Sequence, residues 1–186
     1  MKKLLLLFVV SFSTITFGQD RFEKIDSLLT YLNENNKFMG SLTIREGEYV
    51  VFNKAYGFAD VEANILANRE TKYKIGSVTK TFTAVMLMQL IEERKLGLQT
   101  KLARFYPKIP NAEKISIEDL LHHRTGIVDY INQDTLIDVY GKHAHSEMIE
   151  KITAYPPLFE PGTKYEYSNS NYYLLGTIIE KLTKKT

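Results

Sequence analysis

The chain has 186 residues, of which 44% are hydrophobic and 25% are charged, so collagen-like, low-complexity and wholly disordered proteins are excluded. The 24 Lys and Arg residues are balanced by 22 Asp and Glu residues, which leaves no basic excess to neutralise a nucleic-acid backbone. Cysteine is absent, which excludes disulfides, thiolate nucleophiles and cysteine-based zinc sites. The length favours a single domain with a sizeable core.

The first eighteen residues have the pattern of a secretory signal peptide. Two lysines follow the first methionine, residues 4–17 form an apolar run that takes in small residues, and Gly18 precedes the first polar pair. The run is shorter than the roughly 20 residues that span a bilayer. We therefore predict cleavage after Gly18, a mature domain over residues 19–186, and a secreted or periplasmic location. A buried N-terminal element and an uncleaved anchor, which would make a membrane-tethered interaction protein, remain open alternatives.

The next part of the chain predicts one helix and one hairpin. An amphipathic helix is indicated by apolar residues at helical spacing, namely Phe22, Ile25, Leu28, Leu29 and Leu32. Residues 39–45 and 48–58 are rich in β-branched and aromatic residues on either side of Gly47, which predicts a β-hairpin. Residues 60–70 are polar and predict a surface loop. No further strand is evident, and because two strands rarely form a stable sheet alone, the hairpin is expected to need strands from a C-terminal portion that the chain lacks.

The second half of the chain predicts several helices. Residues 78–94 are apolar nearly all round, which predicts a buried helix, with Gly97 as its stop. Residues 116–119 resemble a capping box that opens a short helix extending to His123, and Gly126 is expected to end it.

Two further helices are predicted downstream. Ser146 is expected to cap a helix that contains Met148, Ile149 and Ile152. An amphipathic helix that runs to the end of the chain is indicated by Leu174, Leu175, Ile178, Ile179 and Leu182.

Ser77 and Lys80 form the first candidate catalytic pair. They lie three residues apart at the start of the apolar helix, so they share a helix face with Cβ atoms about 5–6 Å apart. A serine hydroxyl is a weak nucleophile until a neighbouring group takes its proton, and an amine one turn away can assist. The helix N-terminus adds N–H groups suited to a developing oxyanion. The alternative is a serine N-cap followed by a solvated lysine, because this spacing is common by chance.

Tyr167-Ser168-Asn169 forms the second candidate group. A phenol beside a lysine ammonium has its phenolate stabilised and could act as a general base. An asparagine side chain offers both a donor and an acceptor, so it can hold a substrate amide and a lysine together. The alternative is a polar loop that caps the last helix, with Asn169 or Ser170 as the N-cap.

Taken together and in this order, these segments resemble the serine β-lactamase-related hydrolases, which include class C β-lactamases, D-alanyl-D-alanine carboxypeptidases and related esterases. Residues 73–84, Tyr-Lys-Ile-Gly-Ser-Val-Thr-Lys-Thr-Phe-Thr-Ala, resemble the nucleophile segment of this family. Residues 120–127 are similar to its Leu-Leu-x-His-x-Ser-Gly-Leu stretch, and residues 160–169 to its Pro-Gly…Tyr-Ser-Asn segment, which residues 172–180 continue.

The resemblance implies an α+β fold of the β-lactamase/transpeptidase type, with a helical lobe packed on an antiparallel sheet. It implies that Ser77 is the acylated nucleophile, Lys80 its proton partner and Tyr167 the base that also protonates the leaving group. Asn169 would orient the substrate and the lysine, and the Ser77 N–H would form half of the oxyanion hole. The implied activity is that of an exported hydrolase acting on a β-lactam, a D-Ala-D-Ala peptide or an ester, with no cofactor or metal.

One part of the family pattern is missing. The family carries a third motif, Lys-Thr-Gly or His-x-Gly, on a downstream strand, and the terminal Lys184-Lys185-Thr186 is not followed by glycine, so it does not match. The chain is therefore expected to be an N-terminal portion of a family member, incomplete at its C-terminus. This opens a rival interpretation, namely a catalytically incomplete fragment or a non-catalytic binding module that recognises penicillin.

The remaining polar and aromatic residues form no further catalytic or metal-binding pattern. Metal binding is not predicted, because zinc spacing is absent from the four histidines, His122, His123, His143 and His145. A core position is expected for Tyr130, Tyr155 and Tyr165, with the wall of the substrate cleft as the alternative. The helix dipole accounts for Lys181, Lys184 and Lys185. The expected partners are small-molecule or peptidoglycan-peptide substrates and no nucleic acid, while peripheral membrane association and oligomeric state stay undecided.

Overall fold

The computed structural model describes residues 21–131 and 141–185. These residues divide into two compact units, an N-terminal unit that ends at Lys74 and a C-terminal unit that begins at Ile75. The predicted signal peptide, residues 1–18, lies outside the described residues.

The N-terminal unit contains the predicted helix and hairpin. Helix α1 is Glu23–Glu34, and strands β1, Gly40–Glu46, and β2, Tyr49–Tyr56, pair antiparallel. Gly47 has a φ of +56°, a left-handed conformation that glycine adopts without steric cost, and it begins the two-residue turn between the strands. Both predictions are confirmed within one or two residues of their bounds.

The prediction of a plain loop over residues 60–70 is wrong. Strands β3, Phe58–Asp60, and β4, Ile65–Leu66, pair antiparallel as a second, separate two-stranded sheet. The Ala63 N–H donates to Asp60 Oδ1 at 2.8 Å, and Asn64 has a φ of +54°, so Asp and Asn supply the turn. The expectation that no strand follows the first hairpin is wrong for the same reason.

Helix α1 packs on β2 through aromatic and polar contacts. The rings of Phe22 and Phe52 lie 5.5 Å apart, and Tyr56 Oη donates to Asp26 Oδ1 at 2.8 Å. Lys54 forms an ion pair with the same carboxylate. Hydrogen bonds from Lys54 and Tyr56 lower the pKa of Asp26, and burial raises the pKa of Tyr56 to about 12.

The C-terminal unit is mainly helical. Its helices are α2, Thr79–Glu92; α3, Ile117–Leu121; α4, His145–Ala154; and α5, Asn169–Thr183, with 3₁₀ turns at Gly76–Val78 and Leu102–Arg104. Helix α5 packs against both α2 and α3. The centre of the core consists of fully buried aliphatic side chains, namely Leu87, Leu102, Ile115, Ile117, Leu120, Leu174, Leu175 and Ile178. Among the described residues, no helix combines the length and hydrophobicity needed to cross a bilayer.

Helix α2 is less buried than its composition predicts. Leu87 and Leu90 enter the core, whereas large apolar side chains elsewhere on the helix are exposed, namely Phe82, Val85, Met86 and Met88. The prediction of a helix buried all round is therefore wrong for this unit. The reason is that only the stripe facing the core is covered by the unit's own residues.

The end of α2 also differs from the prediction. The helix stops at Glu92, before the expected Gly97, and Arg94 adopts the left-handed conformation with a φ of +58°. The Arg94 N–H donates to the Ile91 carbonyl and the Lys95 N–H to the Leu90 carbonyl, both at 2.9 Å. This pair of bonds is a Schellman motif with arginine at the position that glycine usually fills.

The predicted capping box is confirmed at α3. Ser116 Oγ accepts from the Asp119 N–H at 3.1 Å, and the Ser116 N–H donates to Asp119 Oδ2 at 2.9 Å. The helix is shorter than predicted, since it ends at Leu121.

The expected Ser146 cap is wrong, and so are the caps that the alternative interpretation gave for the last helix. Helix α4 begins at His145 with Ala144 at the N-cap, so Ser146 lies inside the first turn. Helix α5 begins at Asn169 with Ser168 at the N-cap, so neither Asn169 nor Ser170 occupies that position. In both cases the helix begins one or two residues earlier than the polar residue suggested.

Candidate active site

Ser77 lies in the 3₁₀ turn that leads into α2. Gly76, immediately before it, has a φ of +52°, a conformation that favours glycine. Lys80 lies in the first turn of α2, and its Nζ donates to Ser77 Oγ at 3.3 Å. The spacing of three residues therefore places the amine beside the hydroxyl, as the sequence predicts. The Ser77 side chain is exposed and Lys80 is half-buried.

Tyr167 and Asn169 complete a four-residue cluster within the C-terminal unit. Tyr167 Oη lies 2.8 Å from Ser77 Oγ, and Lys80 Nζ donates to Asn169 Oδ1 at 2.7 Å. Tyr167 Oη also lies 3.4 Å from Asn169 Oδ1. The structure thus brings together all four residues that the sequence singles out, although they come from segments almost ninety residues apart. Their catalytic roles remain a prediction.

Neighbouring groups change the pKa of the Tyr167 phenol. Burial by itself raises its pKa, but hydrogen bonding with Lys80 and Ser77 and the positive charge of Lys80 outweigh burial, so the pKa lies below its usual range. Lys80 Nζ lies 5.1 Å from the centroid of the Tyr167 ring. The lowered pKa favours the phenolate, and a phenolate beside a serine hydroxyl is suited to accept the proton of that hydroxyl.

His123 contacts the Tyr167 ring and the backbone next to it. It is buried, with a φ of +56°, and its Nδ1 accepts from the Ser168 N–H at 3.2 Å. Its ring lies 4.5 Å from the Tyr167 ring and 5.2 Å from the Tyr172 ring. Burial, followed by the charge of Lys80, lowers the pKa of His123, which favours a neutral imidazole with Nδ1 as an acceptor. These contacts are those of a structural histidine, because the ring packs between two tyrosines and its Nδ1 binds the backbone beside Tyr167.

Backbone hydrogen bonds join the loop of His123 to the loop that precedes Tyr167. The Glu166 N–H donates to the His123 carbonyl at 2.9 Å, and the Leu158 N–H donates to the Gly126 carbonyl at 2.9 Å. Gly126 has a φ of +75°, and a Cβ there would lie 2.2 Å from the Phe159 carbonyl oxygen. The close approach of the two loops therefore requires glycine at this position.

The start of α5 is fixed by buried side-chain hydrogen bonds. Asn171 Oδ1 accepts from Thr125 Oγ1 at 2.7 Å, and Ser170 Oγ donates to the Val128 carbonyl at 2.6 Å. Because Asn169 begins this helix, the bonds that fix the helix also place Asn169 opposite Lys80.

Sequence reasoning missed Asp129. Its side chain is 7% exposed, and its Oδ2 accepts from Asn169 Nδ2 at 2.8 Å. The signal available in the sequence was a single acid directly after the apolar pair Ile127-Val128, since an acid next to buried positions needs hydrogen-bond partners.

A cavity of about 330 Å³ adjoins the cluster. Its lining includes Ser77, Lys80 and Asn169, together with three tyrosines, Tyr130, Tyr172 and Tyr173. The expected core position is therefore wrong for Tyr130, which lies at the cleft wall. Tyr155 lines a separate small cavity beside Ile109 and Ile152, and Tyr165 is exposed.

Polar residues outside the cluster, namely His143, His145 and Lys181, have local hydrogen-bond or ion-pair partners. His143 Nδ1 lies 3.2 Å from Glu147 Oε1, and His145 Nδ1 lies 2.9 Å from Tyr173 Oη. Lys181 Nζ donates to the Phe105 carbonyl at 3.2 Å, a contact beyond the dipole role predicted for it. Within residues 21–131 and 141–185, no three histidine, aspartate or glutamate side chains converge as metal ligands would.

Comparison with known proteins decides the family. Residues 26–186 match the family model described as Beta-lactamase. The chain belongs to the β-lactamase family. The family match confirms the resemblance predicted from the nucleophile and Tyr-Ser-Asn segments.

Three known proteins are similar to this β-lactamase-family chain. Protein flp of Staphylococcus aureus is 30% identical over 174 residues, covering 90% of this chain and 34% of the relative. Teichoic acid D-alanine hydrolase of Staphylococcus aureus is 28% identical over 166 residues, covering 89% of this chain and 39% of the relative. The crystal structure of D-amino acid amidase from Ochrobactrum anthropi SV3 superposes with a TM-score of 0.76 at 26% identity, covering 87% of this chain and 45% of the amidase.

These similarities confirm the predicted α+β fold of the β-lactamase/transpeptidase type. The chain spans about a third to a half of the length of the relatives it matches.

Proposed function

We propose that this chain provides the nucleophile and proton-transfer groups of a serine hydrolase that acts through an acyl-enzyme. The observation that carries the proposal is the 2.8 Å contact between Ser77 Oγ and Tyr167 Oη, with Lys80 Nζ 3.3 Å from Ser77 Oγ and 5.1 Å from the centroid of the Tyr167 ring. A hydroxyl, a base of lowered pKa and a cation within hydrogen-bond reach form an activated nucleophile.

The proposed reaction has two halves. In acylation, the Tyr167 phenolate takes the Ser77 proton while Ser77 Oγ bonds to the acyl carbon, and the phenol then protonates the leaving group as its bond to that carbon breaks. In deacylation, a water molecule loses a proton to the phenolate as its oxygen bonds to the acyl carbon, and the phenol returns that proton to Ser77 Oγ as the bond between Oγ and the acyl carbon breaks and the acid leaves. The Ser77 N–H, in the 3₁₀ turn that leads into α2, would donate to the oxyanion in both halves.

The substrate is proposed to be a small acyl compound, namely a D-alanyl ester or amide, a D-Ala-D-Ala peptide or a β-lactam. The names of two relatives, teichoic acid D-alanine hydrolase and D-amino acid amidase, support acyl groups derived from a D-amino acid. A cavity of about 330 Å³ walled by tyrosines has the size and apolar surface for such a group.

Active-site labelling tests the proposal. A fluorescent fluorophosphonate and a fluorescent penicillin should label wild type and the Ser146→Ala control, whose serine lies on the exposed first turn of α4, but not Ser77→Ala. Absence of labelling from a folded wild-type sample, or equal labelling of Ser77→Ala, would overturn the hydrolase proposal.

Turnover separates the hydrolase from its rival, the penicillin-recognising module or catalytically incomplete fragment. Release of chromophore from nitrocefin or from a D-alanyl ester beyond one equivalent per chain supports hydrolysis. Labelling that stops at one equivalent supports a module that is acylated without turnover.

We also propose that the protein is exported, on the charge and hydropathy pattern of residues 1–18. The intact mass of the protein recovered outside the cytoplasm tests this directly. A mass that begins at residue 19 is expected, whereas a mass that retains residues 1–18 would support the anchored alternative.

A further inference from the structure

Asp129 has both carboxylate oxygens engaged at the edge of the catalytic cluster. Its Oδ2 accepts from Asn169 Nδ2 at 2.8 Å, and its Oδ1 accepts from the Ile131 N–H at 3.0 Å. The side chain is 7% exposed, so water competes weakly for these bonds. The carboxylate is thus held in one orientation by its own backbone and faces Asn169.

The amide of Asn169 can satisfy its two neighbours in only one orientation. Its Oδ1 accepts from Lys80 Nζ at 2.7 Å, while its Nδ2 donates to Asp129. If the amide were rotated by half a turn, two donors would meet at Lys80 and two acceptors would meet at Asp129, and both pairs repel. The lysine alone imposes only half of this preference, since its flexible side chain could move to another acceptor.

We propose that Asp129 is a positioning residue, which fixes the Asn169 amide so that its oxygen faces Lys80 and thereby holds Lys80 Nζ against Ser77 Oγ. Its catalytic consequence rests on the proposed function, but its geometric consequence does not. The competing explanation is that Asp129 only closes the turn at Ile131, in which case its removal would lower stability and leave the Asn169 amide unchanged.

Nuclear magnetic resonance of the asparagine side chains tests the geometry without any catalysis. In uniformly ¹⁵N-labelled protein, the Nδ2 proton pair that is absent from Asn169→Ala identifies Asn169. We expect this pair to exchange slowly with solvent in wild type and at least tenfold faster in Asp129→Ala. The matched control is Asp119→Ala, which removes the capping carboxylate of α3 and should leave the Asn169 pair unchanged. An Asn169 pair with wild-type exchange in Asp129→Ala would overturn the proposal.

A double-mutant cycle tests the catalytic consequence. The rate of labelling by the fluorophosphonate should fall about 10- to 100-fold in Asp129→Ala, and the double variant Asp129→Ala/Asn169→Ala should react no more slowly than Asn169→Ala alone. Asp129→Asn, which retains an acceptor oxygen, should recover part of the rate and serves as the variant that preserves side-chain shape. Fully additive losses would show that Asp129 does not act through Asn169.

The exchange measurement and the labelling measurement test the positioning proposal and the hydrolase proposal separately. If wild type is not labelled at all, the hydrolase proposal fails, and the exchange rate of the Asn169 amide still decides whether Asp129 positions it.

Discussion

The phenol oxygen of Tyr167 can be removed without removing the packing that holds its ring, because the ring lies against His123. Tyr167→Phe keeps that contact and deletes the 2.8 Å contact with Ser77. We expect the labelling rate to fall about 100- to 10,000-fold, the usual range for loss of a general base. Tyr165→Phe is the control, since Tyr165 also contacts the His123 ring but is 66% exposed. A Tyr167→Phe variant that reacts at the wild-type rate would assign the base to another group.

The lowered pKa of Tyr167 predicts a pH profile with a definite sign. As pH rises, the phenolate forms and the labelling rate should increase to a plateau, with a midpoint below the usual value of about 10. Lys80→Met removes the cation that favours the phenolate, so the midpoint should move upward. The ultraviolet difference spectrum of phenolate, with Tyr167→Phe subtracted, measures the midpoint even in a variant that is inactive.

Three tyrosines that line the cavity are expected to titrate above Tyr167. Burial raises the pKa of Tyr130 and Tyr172, and it raises the pKa of Tyr173 to about 12. A midpoint for Tyr167 at or above that of an ordinary tyrosine would contradict the predicted direction.

The sequence predicted most individual residues of the candidate site because the proposed chemistry requires particular residue types. Ser77 and Lys80 were recognisable from their helical spacing, and Tyr167 and Asn169 from their segment and its family resemblance. Asp129 was not, because its importance comes from a contact across forty residues of chain that no local pattern encodes.

Two serines near helix starts, of which only one is an N-cap, provide a matched test of how much an N-cap stabilises a helix. Ser116→Ala removes the side chain that accepts from the Asp119 N–H, and we expect the free energy of unfolding to fall by about 0.5–2 kcal/mol. Ser146→Ala lies inside the first turn of α4 and should change it by less than about 0.5 kcal/mol. Chemical denaturation of both variants measures the difference. Equal losses would mean that Ser146 caps α4 after all.

Two glycines with similar backbone angles provide a second matched test. Gly126→Ala combines a φ of +75° with a Cβ only 2.2 Å from the Phe159 carbonyl oxygen, so the loops around Tyr167 must separate. Gly162→Ala has a φ of +82° but nothing within 4 Å of its Cβ, and should lose only the roughly 1–2 kcal/mol of backbone strain. We expect Gly126→Ala to lower the denaturation midpoint far more than Gly162→Ala. Similar midpoints would show that the Gly126 loop can relax.

Helices and the hairpin were predictable because their periodicity extends over many residues. The errors lie where one or two residues decide the outcome. The turn between β3 and β4 depends on Asp60 and Asn64, and the end of α2 depends on Arg94 in a conformation that usually indicates glycine. Such features are set by hydrogen bonds formed only after the segment is folded.

Helix α2 has apolar side chains on all sides, but only one side is buried. Leu87 is fully buried against the core of the C-terminal unit, whereas Phe82 is 60% exposed and Val85 is 52% exposed. A helix that is apolar all round but covered on one side leaves a surface on which other apolar surfaces can bind. The sequence could not predict which side would be covered, since composition is similar on every face.

This asymmetry predicts that substitutions on the two sides of α2 change stability by very different amounts. Leu87→Ala should lower the free energy of unfolding by about 2–5 kcal/mol, because it leaves a cavity in the core. Phe82→Gln/Val85→Gln should change it by less than about 0.5 kcal/mol for each site, and should reduce self-association at high protein concentration. Denaturation midpoints and sedimentation velocity measure the two effects. If Phe82→Gln destabilises the protein as much as Leu87→Ala, then Phe82 is packed against other residues in solution, and the outer side of α2 is part of the core.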